Sequence, residues 1–122
     1  MSKILVVDDE KEIIAFLDTV LSRAGHTVVA AMDGVQAVQQ AMKEKPDLMI
    51  LDVMMPAGSG ITVYTRLKQS FLTQRIPVIF LTAMQTENAR GKLPANDTST
   101  ILAKPCDPAE LIAAVNNALL PS

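Results

Sequence analysis

Leu48-Met49-Ile50-Leu51-Asp52 places four apolar side chains in succession, without the in-and-out alternation of a half-exposed strand, and runs straight into a carboxylate. Such a run suits a strand covered on both faces, as in a parallel sheet. Two more runs have the same form: Ile4 to Val7 leads into Asp8-Asp9, and Val78 to Leu81 into Thr82. Weaker candidates at Thr27 to Met32 and at Ser99 to Ala103, the second followed by Lys104, bring the strands to five. They begin about 20 to 30 residues apart, the room that one crossover helix needs. The pattern predicts an α/β protein of βα repeated five times.

The segments between the runs carry helical signals of unequal strength. Ile13, Leu17, Val20, Leu21 and Ala24 follow helical spacing, and Gly25 stands where a left-handed residue would end that helix. Val35, Val38, Ala41 and Met42 form a second stripe, closed by Pro46, and Ile61, Tyr64 and Leu67 a third after Gly58-Ser59-Gly60. Asp107 can cap a last helix, with Pro108 at its first position and Glu110 completing a capping box before Leu111, Ile112, Val115 and Leu119. Gly91, Pro94, Asn96 and Asp97 interrupt the stretch from Gln85 to Thr98, which predicts a short or irregular fourth helix.

Composition narrows the function. A chain of 122 residues is about one ordinary domain, so residues 1–122 are expected to form a single unit. The formal charge is -2 and the aromatics number four, Phe16, Tyr64, Phe71 and Phe80, which argues against binding a phosphate backbone or stacking bases. The single cysteine, Cys106, excludes an internal disulfide and a multi-cysteine zinc site, and a cytoplasmic location is expected. The opening apolar run is too short for a signal peptide or a membrane span. The one histidine, His26, follows Gly25 at a helix end and reads as structural. The ending at Leu119-Leu120-Pro121-Ser122 fits a natural terminus or the start of a linker.

In open parallel sheets ligands bind beyond the carboxyl ends of the strands, and those ends here carry Asp8-Asp9, Asp52, Thr82 and Lys104. With strand order 2-1-3-4-5, strands one and three are neighbours and their aspartates converge. Each residue alone has a plain structural reading: an Asp after a strand is commonly a helix N-cap. Gathered at one edge, three carboxylates demand counter-charge. Lys104 supplies one, and a divalent cation with oxygen ligands, Mg2+ rather than Zn2+, is the natural second. Such an assembly would stabilise negative charge on a phosphoryl group in flight, with Asp52 as nucleophile.

Val7-Asp8-Asp9-Glu10, Leu51-Asp52-Val53-Met54-Met55-Pro56 with Gly60, Thr82-Ala83 and Lys104-Pro105 resemble the receiver domain of two-component response regulators. The resemblance runs through essentially the whole chain and implies a flavodoxin-like, doubly wound sandwich. It also implies a signalling switch that accepts a phosphoryl group on Asp52 from a sensor histidine kinase or phosphotransfer protein, without turning over an external substrate. On that likeness Asp8, Asp9, Asp52 and the Met54 carbonyl would hold Mg2+, Thr82 and the Ala83 N–H would contact the phosphoryl group, and Lys104 would pair with one of its oxygens. The Lys104-Pro105 bond would be cis. A downstream effector and a phosphorylation-linked homodimer would be further partners, with the charge-poor side of the last helix, Ala113, Asn116 and Asn117, open to contact.

The sequence departs from the family's usual pattern at three places. Ile101 stands where an inward-turning aromatic is usual, Cys106 replaces a frequent Phe, and Pro94 to Thr98 lacks the common Gly-Ala-Asp-Asp type of turn. Met54 and Met84, two residues past Asp52 and Thr82, would either hinder the water that attacks the acyl phosphate or merely fill gaps. The departures leave a second reading open, a receiver-like module that signals by protein contacts alone. An aspartate-nucleophile phosphatase fits less well, since Asp8-Asp9-Glu10-Lys11-Glu12 lacks an Asp-x-Asp-x-Thr pattern, and a flavin site would lack its phosphate-cradling loop.

Overall fold

The computed structural model describes residues 2–53, 60–93, 97 and 99–120. Strands β1 (Lys3–Val7), β2 (Thr27–Ala31), β3 (Leu48–Asp52), β4 (Val78–Thr82) and β5 (Thr100–Ala103) alternate with helices α1 (Lys11–Arg23), α2 (Gly34–Glu44), α3 (Gly60–Gln69), α4 (Thr86–Arg90) and α5 (Pro108–Ala118). All neighbouring strands pair in parallel, in the order β2-β1-β3-β4-β5. The fold is the flavodoxin-like one expected, with a fourth helix of only five residues.

Unbroken apolar runs are used on both faces of the sheet. Leu5, Val7, Met49, Leu51, Val78 and Phe80 point into one core with residues of α2, α3 and α4. Their neighbours Ile4, Val6, Leu48, Ile50, Ile79 and Leu81 point into the other with α1 and α5. Every residue of β3 and of β4 is buried, so these central strands anchor the residues at their carboxyl ends.

Local signals end the helices as expected. Gly25 has φ 95°, while its N–H and that of His26 close on the Ser22 and Leu21 carbonyls in a Schellman turn. Asp107 accepts from the Ala109 N–H at 2.8 Å, a plain N-cap on the second helical residue, and among the described residues Glu110 makes no return bond, so the expected capping box does not form. In the α2 stripe Val38 and Ala41 pack on the core as expected, and the other two positions need correction. Ala37 and Ala41 face the core, whereas Val35 is 64% exposed and Met42 41%. The reason is close packing on α3: a Cβ on Gly34 would stand 3.0 Å from a Val63 methyl, so small residues take the inward face. No helix among the described residues is long and apolar enough to cross a membrane. His26 lies at the amino end of the sheet, where its Nδ1 accepts from the Ser2 N–H at 3.4 Å, consistent with a structural part.

Candidate functional site

Strand register assembles the site. Val7 pairs with Leu51, so the residues that follow them, Asp8 and Asp52, emerge side by side, and Asp52 pairs with Leu81 ahead of Thr82. Thr82 pairs with Ala103 and accepts the Lys104 N–H on its carbonyl at 2.8 Å, which brings the lysine to the same edge. The Lys104-Pro105 peptide is cis.

The Lys104 ammonium lies 2.8 Å from Asp8 Oδ2, 3.1 Å from Asp52 Oδ2 and 3.3 Å from Glu10 Oε1. Asp8 and Asp52 are almost wholly buried, 1% and 4% exposed. Burial by itself would lower the pKa of the ammonium, but the hydrogen bonds it donates to Asp8 and Asp52 and the charges of those two carboxylates outweigh it and hold Lys104 well above the usual lysine range. Asp8 divides its oxygens: one takes Lys104 and the other the Glu10 N–H at 2.9 Å. The N-cap of α1 is Glu10, so neither aspartate serves there, and the Glu10 side chain leaves the helix end uncapped to reach Lys104.

Carboxylate oxygens of Asp8, Asp9, Glu10 and Asp52 can all lie within 4.8 Å of one another. A donor set made of oxygen alone, without Cys or His, fits a hard divalent cation such as Mg2+. Asp8, Asp9, Asp52 and Lys104 are thus together as the sequence suggests. Thr82 is fully buried beside them, its hydroxyl accepting from the Met84 N–H at 3.1 Å, and Ala83 follows it at the exposed lip. Met54 lies outside the described residues. Glu10 is the member that spacing arguments passed over, although its place one residue after an Asp pair at a helix start was the available signal.

Ile101 is half-buried in β5 and lines a groove of about 310 Å³ with Thr86, Glu87 and Arg90. Cys106 is half-buried beside an apolar recess of about 230 Å³ that it shares with Ile13, Phe16, Leu81, Lys104 and Pro105. Burial raises the Cys106 thiol pKa, and the charges of Glu110 and Asp107 add to the shift.

Five parallel strands in this order, with an acidic cluster and a lysine at their carboxyl edge, define the class of receiver domains. The chain belongs to the response regulator receiver domain family, which it matches over residues 4–116. It is 43% identical over 116 residues to the alkaline phosphatase synthesis transcriptional regulatory protein PhoP of Bacillus subtilis, covering 93% of this chain and 46% of that one. It is 37% identical to the response regulator PleD of Caulobacter vibrioides, covering 95% of this chain and 26% of PleD. The chain therefore spans less than half the length of these relatives. Among solved structures, the chemotaxis protein CheY4 of Vibrio cholerae superposes with a TM-score of 0.90 at 28% identity, covering 98% of this chain and 99% of that one.

Proposed function

We propose that this receiver domain is a phosphorylation-dependent switch whose phosphoacceptor is Asp52, charged by a sensor histidine kinase or a histidine phosphotransfer protein. The observation that carries the reading is the Lys104 ammonium held between the buried carboxylates of Asp8 and Asp52. One carboxylate oxygen of Asp52 bonds to phosphorus as the donor's P–N bond breaks, and the electron pair leaves with the imidazole. Lys104 then turns from the carboxylates to a phosphoryl oxygen, and Thr82 and the Ala83 N–H receive the others. Asp8, Asp9 and Asp52, with the Met54 carbonyl, would hold Mg2+, which when bound neutralises charge on the transferring group. The domain works on its own side chain rather than on an external substrate, in the cytoplasm. Its outlets are an effector protein or domain, or a second copy of the chain.

Incubation with acetyl phosphate and Mg2+ tests this directly. The intact mass should rise by one phosphoryl group in the wild type and stay unchanged in Asp52→Asn. A wild type that gains no mass overturns the reading in favour of a module that signals by protein contacts.

A further inference from the structure

Helix α3 is fastened at two points one turn apart. At its first residue Gly60 donates its N–H to the Val53 carbonyl at 2.9 Å, and a Cβ there would come within 1.9 Å of the Asp52 carbonyl oxygen. One turn on, Tyr64 is 8% exposed, its ring edge-on to Phe80 of β4 with centroids 5.1 Å apart and planes at 70°. The phenol donates to the Asp97 carboxylate and lies 3.3 Å from Ser99 Oγ. Asp97 also accepts the Ser99 N–H at 2.8 Å. Arg90, the last residue of α4, donates to the Asp97 and Ser99 carbonyls and approaches the Asp97 carboxylate to 3.9 Å. One phenol thus ties α3, the end of α4 and the entry to β5.

We propose that Tyr64 is a coupling residue: the clasp of Tyr64, Asp97 and Arg90 passes a displacement of the Asp52 backbone, through the first turn of α3, to α4 and the entry of β5. The proposal rests on the reading of Asp52 as phosphoacceptor. Contact at Gly60 is backbone against backbone, so a shift at Asp52 is not absorbed by a flexible side chain. The phenol faces both a carboxylate and a hydroxyl, so a small slide of α3 exchanges one partner for the other, which gives the discrete alternatives that a transmitting element requires. Lys68, one turn further along α3, keeps the ring from swinging outward. Its ammonium stands 5.3 Å from the ring centroid and is anchored on the Gln74 and Ile76 carbonyls.

The chain has one tyrosine and no tryptophan, so its intrinsic emission reports this phenol alone. Adding Mg2+ and beryllofluoride, which stands in for the phosphoryl group on Asp52, should change that emission and shift the amide resonances of Val53 and Lys104 together with those of Arg90, Ser99 and Ile101. Tyr64→Phe keeps the ring on Phe80 and removes only the hydroxyl, while Asp97→Asn keeps the phenol and removes the charge. In both variants the Val53 and Lys104 shifts should persist at wild-type size while those of Arg90, Ser99 and Ile101 lose most of their amplitude. Equal shifts at Ser99 and Ile101 in the wild type and both variants overturn the coupling role alone. Absent shifts at Val53 and Lys104 in the wild type overturn the phosphoacceptor reading and the coupling with it.

Discussion

The acid pocket and the Tyr64 clasp each gather polar groups from several elements around a buried centre with one exposed charge at its rim, yet their charges are balanced in opposite ways. In the pocket one ammonium faces the carboxylates of Asp8, Glu10 and Asp52, with Asp9 alongside. Negative charge is in excess, and the lysine is held protonated against the pull of burial. In the clasp a single carboxylate, Asp97, meets a phenol, a backbone N–H and a guanidinium. Burial alone would raise the Asp97 pKa, but the bonds from Tyr64 and Ser99 and the charge of Arg90 bring it below the ordinary value. An over-acidic site calls for an incoming cation and reorganises when one arrives. A balanced site needs nothing more and can serve as a mechanical link.

The two regions meet at Gly60, and the largest expected effect lies there. Gly60→Ala forces a methyl group onto the Asp52 carbonyl oxygen, a backbone atom that cannot swing away. Stability should fall by about 3 kcal/mol, the upper part of the usual overpacking range, read from the urea midpoint. An unchanged midpoint would show that α3 and the phosphoacceptor strand are not locked together.

Removing the lysine separates the regions by charge. Lys104→Met leaves the pocket carboxylates without their ammonium, and the metal-free domain should lose about 2 kcal/mol, less than for a fully buried pair because the site opens to solvent at Glu10, whose side chain is 55% exposed. Mg2+ should bind roughly tenfold more tightly, since the competing ammonium is gone. Calorimetry showing equal or weaker binding would mean that lysine and metal do not share the same oxygens. Phosphorylation chemistry should suffer while the Tyr64 emission of the unphosphorylated domain stays as in the wild type.

Much of the pocket was legible because chain order dictates it. Three apolar runs ending in polar residues, in a parallel sheet, must deliver those residues to one edge, and β1 and β3 are neighbours in the commonest order for five strands. Short-range signals were equally clear at Gly25 and Asp107. The α2 face was misread at Val35 and Met42, and Ala37 was missed, because those two outrank an alanine in hydrophobicity, while the deciding quantity was how near α2 approaches α3 at Gly34 and Val63. The clasp was hidden for a related reason. Tyr64 and Asp97 are separated by 33 positions, and only the rotation of α3 against β4 brings the phenol to that carboxylate. Asp97 reads locally as a turn residue, and Tyr64 as one member of an apolar stripe.

A smaller effect concerns the life of the phosphorylated state. Met84 is half-buried against the core, and its N–H donates to the hydroxyl of the pocket's Thr82, two residues before it. Replacing it and Met54 by asparagine should admit water and speed loss of the phosphoryl group about five- to tenfold, roughly 1 kcal/mol of barrier. A decay rate equal to that of the wild type would leave both methionines as gap-fillers.

The smallest effect bears on the balance of the clasp and is read by titration. Burial raises the pKa of the Tyr64 phenol, and its bond to Asp97 raises it further, against a smaller opposing contribution from Ser99. A raised value means that the folded state prefers the neutral phenol. The stabilisation is complete below the ordinary tyrosine value of about 10 and disappears as pH rises through the folded one. Asp97 has the opposite sign. Its lowered value gives stability that is complete above about pH 4 and disappears as pH falls through the depressed value. The clasp therefore holds between roughly pH 4 and pH 10. Because Tyr64 is the sole tyrosine, absorbance of the phenolate gives its midpoint directly. That midpoint should lie above about 10 in the wild type and move down part of the way in Asp97→Asn, since burial remains when the charge is removed. A midpoint that Asp97→Asn does not move would show that the phenol answers to burial alone, and the carboxylate would then no longer join α3 to β5.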